Sequence, residues 1–229
     1  PGPILIMKKT MDTLASGDRV EITSTDPGFP RDAAAWCNST GNQLISKEAT
    51  GGKSVVVIEK GEPKSCNIVT SCEGKGKTFI MFSDDLDKAL ATFVLANGAA
   101  ATGQKVTIFF TFWGLNVIKK LHKPNVEKDI FGKMFGMMLP SSSRKLKLSK
   151  MSMGGIGGKM MRYIMNRKGI DSLESLRQQA LENGVEFIAC QMSMDVMGVK
   201  QEELLDEVTI GGVATYMERA DNANINLFI

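Results

Sequence analysis

The chain has 229 residues, 43% of them apolar and 23% charged, the mix of an ordinary globular protein with room for one or two buried cores. Its net charge of +3 does not mark a nucleic-acid binder, and its four cysteines are too few for a disulfide scaffold, so a reducing cytoplasm is the expected location. The longest largely apolar stretch, Val106 to Ile118, spans 13 residues, too short to cross a bilayer, and the first residues lack the ordered regions of a signal peptide.

Pro1-Gly2-Pro3 leads into Ile4, Met7, Met11 and Leu14, apolar positions at helical spacing, and Gly17 suits the end of that helix. The chain thus opens at a helix start with no strand ahead of it, as expected of a piece of a longer protein. Arg19 to Thr25 alternates as a strand does, Asp26-Pro27-Gly28 breaks it, and Arg31 to Ser39 reads as a short helix. Asn42 to Glu48 and Ser54 to Glu59 are strands around the turn at Gly51-Gly52. This order predicts a small sheet covered on one face by two helices.

Gly61 to Lys77, rich in Gly, Ser, Lys and Glu, reads as a linker between a domain over 1–60 and a second over 78–229. Thr78 to Phe82 is a short apolar run, Asp84-Asp85 cap a long helix through Ala101, Gly103 ends it, and Lys105 to Phe112 is a buried strand. Further on, the pattern predicts helices over Leu173 to Asn183, Glu202 to Glu207 and Ala214 to Ala220. It predicts strands over Val185 to Ala189, Val208 to Ile210 and Ile225 to Ile229. Strands alternating with helices imply a parallel, doubly wound, Rossmann-like sheet.

The stretch at about 131–165 fits neither pattern. It holds eight of the fifteen methionines and a glycine-rich run, and it reads as a lid, binding loop or disordered insertion. Charge is uneven here: nine Lys or Arg and no acid between Lys133 and Lys168, then eleven acids against three bases from Asp171 onward. Such asymmetry marks a partner surface, with an anionic membrane among the partners considered. Arg144, Lys145, Lys147 and Lys159 are the candidate anion-binding residues. The glycines do not make a phosphate loop, because Met153 stands where its first glycine belongs and Met160 follows Lys159 instead of Ser or Thr. They are read as flexibility.

Cys190 is the best chemical candidate, since it follows the run Val185 to Ala189 and so ends a strand at the edge where open parallel sheets place their ligands. The alternative is a small buried hydrophobe. Cys37, beside Trp36 in a helix, reads as packing. Cys66 and Cys72 sit in the linker at a spacing foreign to zinc sites, and no metal centre is expected. His122, the only histidine, reads as solvated.

Two family resemblances bear on these residues. Pro1-Gly2-Pro3, Asp26-Pro27-Gly28, Arg31-Asp32, Trp36-Cys37 and Gly41-Asn42-Gln43-Leu44 resemble, in order, the motifs of TusA/SirA-like proteins across residues 1–60. That resemblance implies a two-layer α/β sandwich and sulfur transfer through a Cys-Pro-x-Pro cysteine, with Pro1, Pro3, Asp26, Arg31 and Asp32 as motif positions. The motif cysteine would immediately precede Pro1. Residues 77–229 resemble the Met-rich branch of the DsrE/DsrF-like family, through Ser149 to Met153, Gly154 to Met161 and Cys190 to Gly198. This second resemblance implies that Cys190 binds sulfur and that the domain self-associates.

The tandem is similar to the C-terminal part of proteins carrying a flavin-dependent CoA-disulfide reductase and a rhodanese domain upstream. It implies a persulfide carrier with no cofactor in this chain, FAD confined to the upstream domain, a rhodanese or CoA persulfide as donor, and an acceptor thiol on a protein or CoA. Two other functions fit the residues: a docking or regulatory module, and a thiol-disulfide oxidoreductase or peroxidase pairing Cys190 with Cys66 or Cys72.

Overall fold

A computed structural model describes residues 2–25, 29–50, 53–62, 76–122, 124, 126, 128 and 130–229. The chain divides into two compact units, one formed by Pro1–Gly74 with Ala101–Gln104 and the other by Lys75–Ala100 with Lys105–Ile229.

In the first unit, α1 (Gly2–Asp12) precedes β1 (Arg19–Ser24), then α2 (Phe29–Thr40), β2 (Gln43–Thr50) and β3 (Lys53–Glu59) follow. The three strands pair antiparallel in the order β1-β3-β2, with Ile58 opposite both Val20 and Leu44. Alternation fixes which face of the central strand is buried. Val56 and Ile58 are fully covered, while Val55 and Val57 between them are only half-buried. Met7 and Met11, one turn apart on α1, and Phe29, Ala33, Trp36 and Cys37 on α2 complete that core. Helices on one face of a sheet make the expected two-layer sandwich.

The second unit is built on β4 (Gly76–Met81), β5 (Val106–Phe110), β6 (Glu186–Cys190), β7 (Thr209–Gly211) and β8 (Ala223–Phe228). All are parallel, in the order β7-β6-β5-β4-β8. Every residue of β5 is buried, as befits a central parallel strand covered on both faces. The Rossmann-like parallel sheet is therefore present. β4 begins at Gly76, so Gly76 and Lys77, read as linker from the sequence, are strand residues.

The two faces of this sheet are covered very differently. Phe79, Met81, Ile108, Phe110, Phe187 and Ala189 point to one side and meet α3 (Leu86–Ala101), α6 (Leu173–Glu182) and α7 (Gln191–Met197) in one large core. Its aromatic centre is Phe93 of α3, with ring centroids 6.4 Å from Phe110 and 5.7 Å from Phe187. On the other side, Phe109, Ile188 and Cys190 meet Tyr216 of α8 (Val213–Asp221) in a separate, small cluster.

Two expectations are corrected. The segment at 131–165 is not irregular: it contains α4 (Ile130–Met138) and the start of α5 (Ile156–Arg167), with short 3-10 turns at Ser143–Lys145 and Met153–Gly155. Two of its glycines, Gly157 and Gly158, serve close packing, while Gly154 and Gly155 take left-handed φ of 67° and 98°. A Cβ at Gly157 would lie 2.0 Å from the Met151 carbonyl oxygen, and one at Gly158 3.1 Å from that of Leu146. The second correction concerns Glu202 to Glu207. Only a 3-10 turn at Gln201–Glu203 forms there, because the Leu205 N–H is taken by the Ile118 carbonyl and the Lys120 N–H by that of Glu203. Tertiary hydrogen bonds override the local helical preference.

Candidate functional site

Alternation along β6 puts Glu186, Ile188 and Cys190 on the α8 face of the sheet and Phe187 and Ala189 on the other. Cys190 is the last residue of its strand and the cap residue of α7, so its Sγ stands where strand turns into helix at the carboxyl edge. It is only 2% exposed. Its strand partner is Gly211 of β7, and on the other side Phe110 pairs with Ala189, which brings Thr111 one step further along to the level of Cys190.

Two hydroxyls meet where β5 ends and α7 begins. Thr111 Oγ1 and Ser193 Oγ are 2.7 Å apart and both are buried. Behind them, Tyr216 packs on Phe109 with ring centroids 5.2 Å apart, and its hydroxyl lies 3.2 Å from Thr78 Oγ1. Thr78 donates its own proton to Asn226 Oδ1, so Tyr216 is the donor to Thr78. At the far end of α8, Arg219 holds Glu186 in a two-point grip of 3.0 and 3.2 Å, and Thr107 donates to the same carboxylate at 2.8 Å. Burial alone would push the Glu186 carboxyl up; the Arg219 and Thr107 hydrogen bonds with the Arg219 charge overcome it and hold the carboxyl below its usual value.

Thr78, Thr111, Ser193 and Tyr216 escaped the sequence reading. Strand register, available only with the structure, sets Thr111 level with Cys190, whereas Thr78 stands opposite Thr107 and so in line with Glu186, linked to α8 through Tyr216; the one signal in the sequence was that Thr111 and Ser193 flank the two strand ends.

The other cysteines stand apart. Cys37 is buried in α2 among Met7, Trp36 and Ile58, and burial pushes its thiol up to about 11, so at neutral pH it is a protonated hydrophobe. Cys66 and Cys72 lie outside the described residues, as do Pro1 and Asp26 and the side chains of Pro3, Arg31 and Asp32. His122 is exposed.

The basic candidates are not brought to Cys190. Arg144, Lys145 and Lys147 are exposed on a strap whose Leu146 and Leu148 insert into the large core, on the face of the sheet away from the cysteine. Lys159 is exposed on α5. Of the nine-base run, Arg162 is engaged internally, donating to the Ser143 carbonyl at 2.9 Å and pairing with Glu174 at 3.3 Å. Among the described residues no three His, Cys, Asp or Glu side chains gather as a metal-ligand group, and no helix is long and apolar enough to cross a membrane.

Comparison with known proteins adds a second line. The model of the DsrE/DsrF/DrsH-like family matches residues 74–228, and that of sulfurtransferase TusA matches residues 1–60. An uncharacterized protein of Bacillus subtilis, YrkE, is 44% identical over 155 residues, which cover 68% of this chain and 97% of that protein. The sulfur carrier protein DsrE2 of Allochromatium vinosum is 38% identical over 161 residues, 69% of this chain and 99% of the relative. The sulfur carrier protein TusA of the same organism is 40% identical over 60 residues, 26% of this chain and 79% of the relative.

Proposed function

We propose that this chain, which belongs to the DsrE/DsrF/DrsH-like family and carries a TusA domain ahead of that region, is a sulfur carrier that holds sulfur as a persulfide on Cys190. The observation that carries this reading is the place of Cys190: the end of a parallel strand, at the edge of the sheet where ligands bind, and at the turn into a helix. The likeness to proteins named as sulfur carriers, over nearly the whole length of one of them, supports it.

The chemistry is thiol–persulfide exchange. The Cys190 thiolate attacks the outer sulfur of a donor persulfide; a bond forms between Sγ and that sulfur while the donor S–S bond breaks, and the donor leaves as a thiolate with the bonding electrons. An acceptor thiolate then takes the outer sulfur in the same way and releases the Cys190 thiolate. No metal or organic cofactor enters either step, and a reducing cytoplasm keeps the thiol available. A rhodanese persulfide or CoA persulfide is the donor class we assign, as fits an upstream flavin-dependent CoA-disulfide reductase and rhodanese.

Intact mass of the parent and of Cys190→Ser after exposure to a persulfide donor tests the reading. The expected result is a gain of one sulfur, removable by reductant, on the parent alone. Sulfur retained at the parent level by Cys190→Ser, or absent from both, refutes it.

A further inference from the structure

We infer that α8 is a gate over Cys190, hinged at Gly211-Gly212 and latched by Tyr216, and that sulfur reaches the thiol when the first turn of this helix lifts.

The inference rests on the carrier reading for its purpose, but its geometry stands independently. Cys190 is 2% exposed, and a persulfide places a second sulfur about 2 Å beyond Sγ, which a close-packed interior has no room to accept. Something must therefore move. The large core with α3, α6 and α7 lies on the opposite face, and in the small cluster around the thiol the residues not on sheet strands, Tyr216 and the partly buried Ala220, both belong to α8.

That helix is held unevenly. Its last turns are gripped by the double contact of Arg219 with Glu186 and run directly into β8. Its first turn has no side-chain cap, carries the exposed Val213 and Ala214, and follows a strand of only three residues at the edge of the sheet. The loosely held end is the end beside the cysteine, since Gly211 is the strand partner of Cys190. Weakly tethered edges of this kind open locally at far lower cost than the whole fold.

Two glycines supply the joint. Gly211 lies so close to Ile188 that a Cβ would come within 2.8 Å of its Cγ2, which lets the segment seat when closed. Gly212 has open space around it and an extended backbone that any residue adopts, so its lack of a side chain is not needed for the closed state. The freedom it confers is spent in the open one. Tyr216 is the catch: its ring covers Phe109 beside Cys190, and its hydroxyl donates to Thr78, which is itself fixed by Asn226.

The test is the rate at which iodoacetamide modifies the full-length native protein, read by mass spectrometry on the peptide containing Cys190. Tyr216→Phe keeps the ring and removes the catch, and it should speed modification roughly fivefold, the worth of one hydrogen bond. Gly212→Ala restricts the hinge and should slow it about threefold. In the parent, the urea dependence of the rate should be shallower than that of global unfolding. Equal rates in all three proteins, or a urea dependence matching global unfolding, overturns the gate. If Tyr216→Phe speeds alkylation yet no sulfur loads on Cys190, the gate stands and the carrier reading falls. Sulfur loading with alkylation unchanged by either substitution leaves the carrier and removes the gate.

Discussion

The two faces of the five-stranded sheet divide the work of the second unit. One face is thick: three helices bury Phe93, Phe110 and Phe187 against one another, together with Ile108 and Leu176. The other is thin: a nine-residue helix covers Phe109, Ile188 and Cys190. Stability belongs to the first and reactivity to the second. A cysteine placed among the phenylalanines would need the whole domain to unfold before it met another sulfur; beneath α8 it needs the motion of a single turn.

The contrast can be broken or sharpened by substitution. Phe187→Ala on the thick face should cost about 3–5 kcal/mol in a denaturant melt, the usual price of an aromatic cavity in a packed core. Tyr216→Leu on the thin face loses part of its packing and one hydrogen bond, and should cost roughly 1–2 kcal/mol. If the two losses are equal, the faces are equally important and the division fails. A smaller effect is expected from Glu186→Gln. The Glu186 carboxyl is held below its unfolded value of 4.5, so its contribution is present above that value and is lost as pH falls through the lowered folded one. The variant should therefore lose the acid-limb slope that Glu186 supplies while still folding, which melts collected from pH 3 to 6 as a function of pH would show. Smallest in energy but sharpest in contrast are the two buried thiols. At pH 8, alkylation of native protein should label Cys190 well before Cys37, whose thiol burial in the first unit's core pushes up to about 11.

Much of this fold was legible in the residues because hydrophobic period and punctuation agreed. The run from Val185 to Ala189 is apolar enough to be only a buried strand, and Gly103, at φ 78°, ends α3 where expected. Legibility failed where long-range contacts decide. Glu202 to Glu207 reads locally as a helix, yet Leu204 pairs with Lys119 across an isolated bridge that separates a 3-10 turn from the turn at Asp206-Glu207. At 131–165 the glycines hid two helices, because packing a strap against Gly157 and merely being flexible look alike in one dimension. Cys190 itself could be found, since a strand end is a local property. Its surroundings could not: Thr78 lies 138 residues before the Tyr216 it bonds, and which face each strand residue points to is fixed only by the register of the sheet.

The order of the strands also sets a timetable for synthesis. β8 inserts beside β4, pairing Lys77 with Ile225 and Phe79 with Leu227. The first strand of the sheet thus waits for residues 223–228 to leave the ribosome, and until then it presents an unpaired edge. The same late residues supply Asn226, which orients Thr78, and follow directly on the helix over Cys190. A nascent chain stalled before residue 223 therefore exposes at once an open strand and a bare thiol, and the open strand edge makes it prone to aggregate.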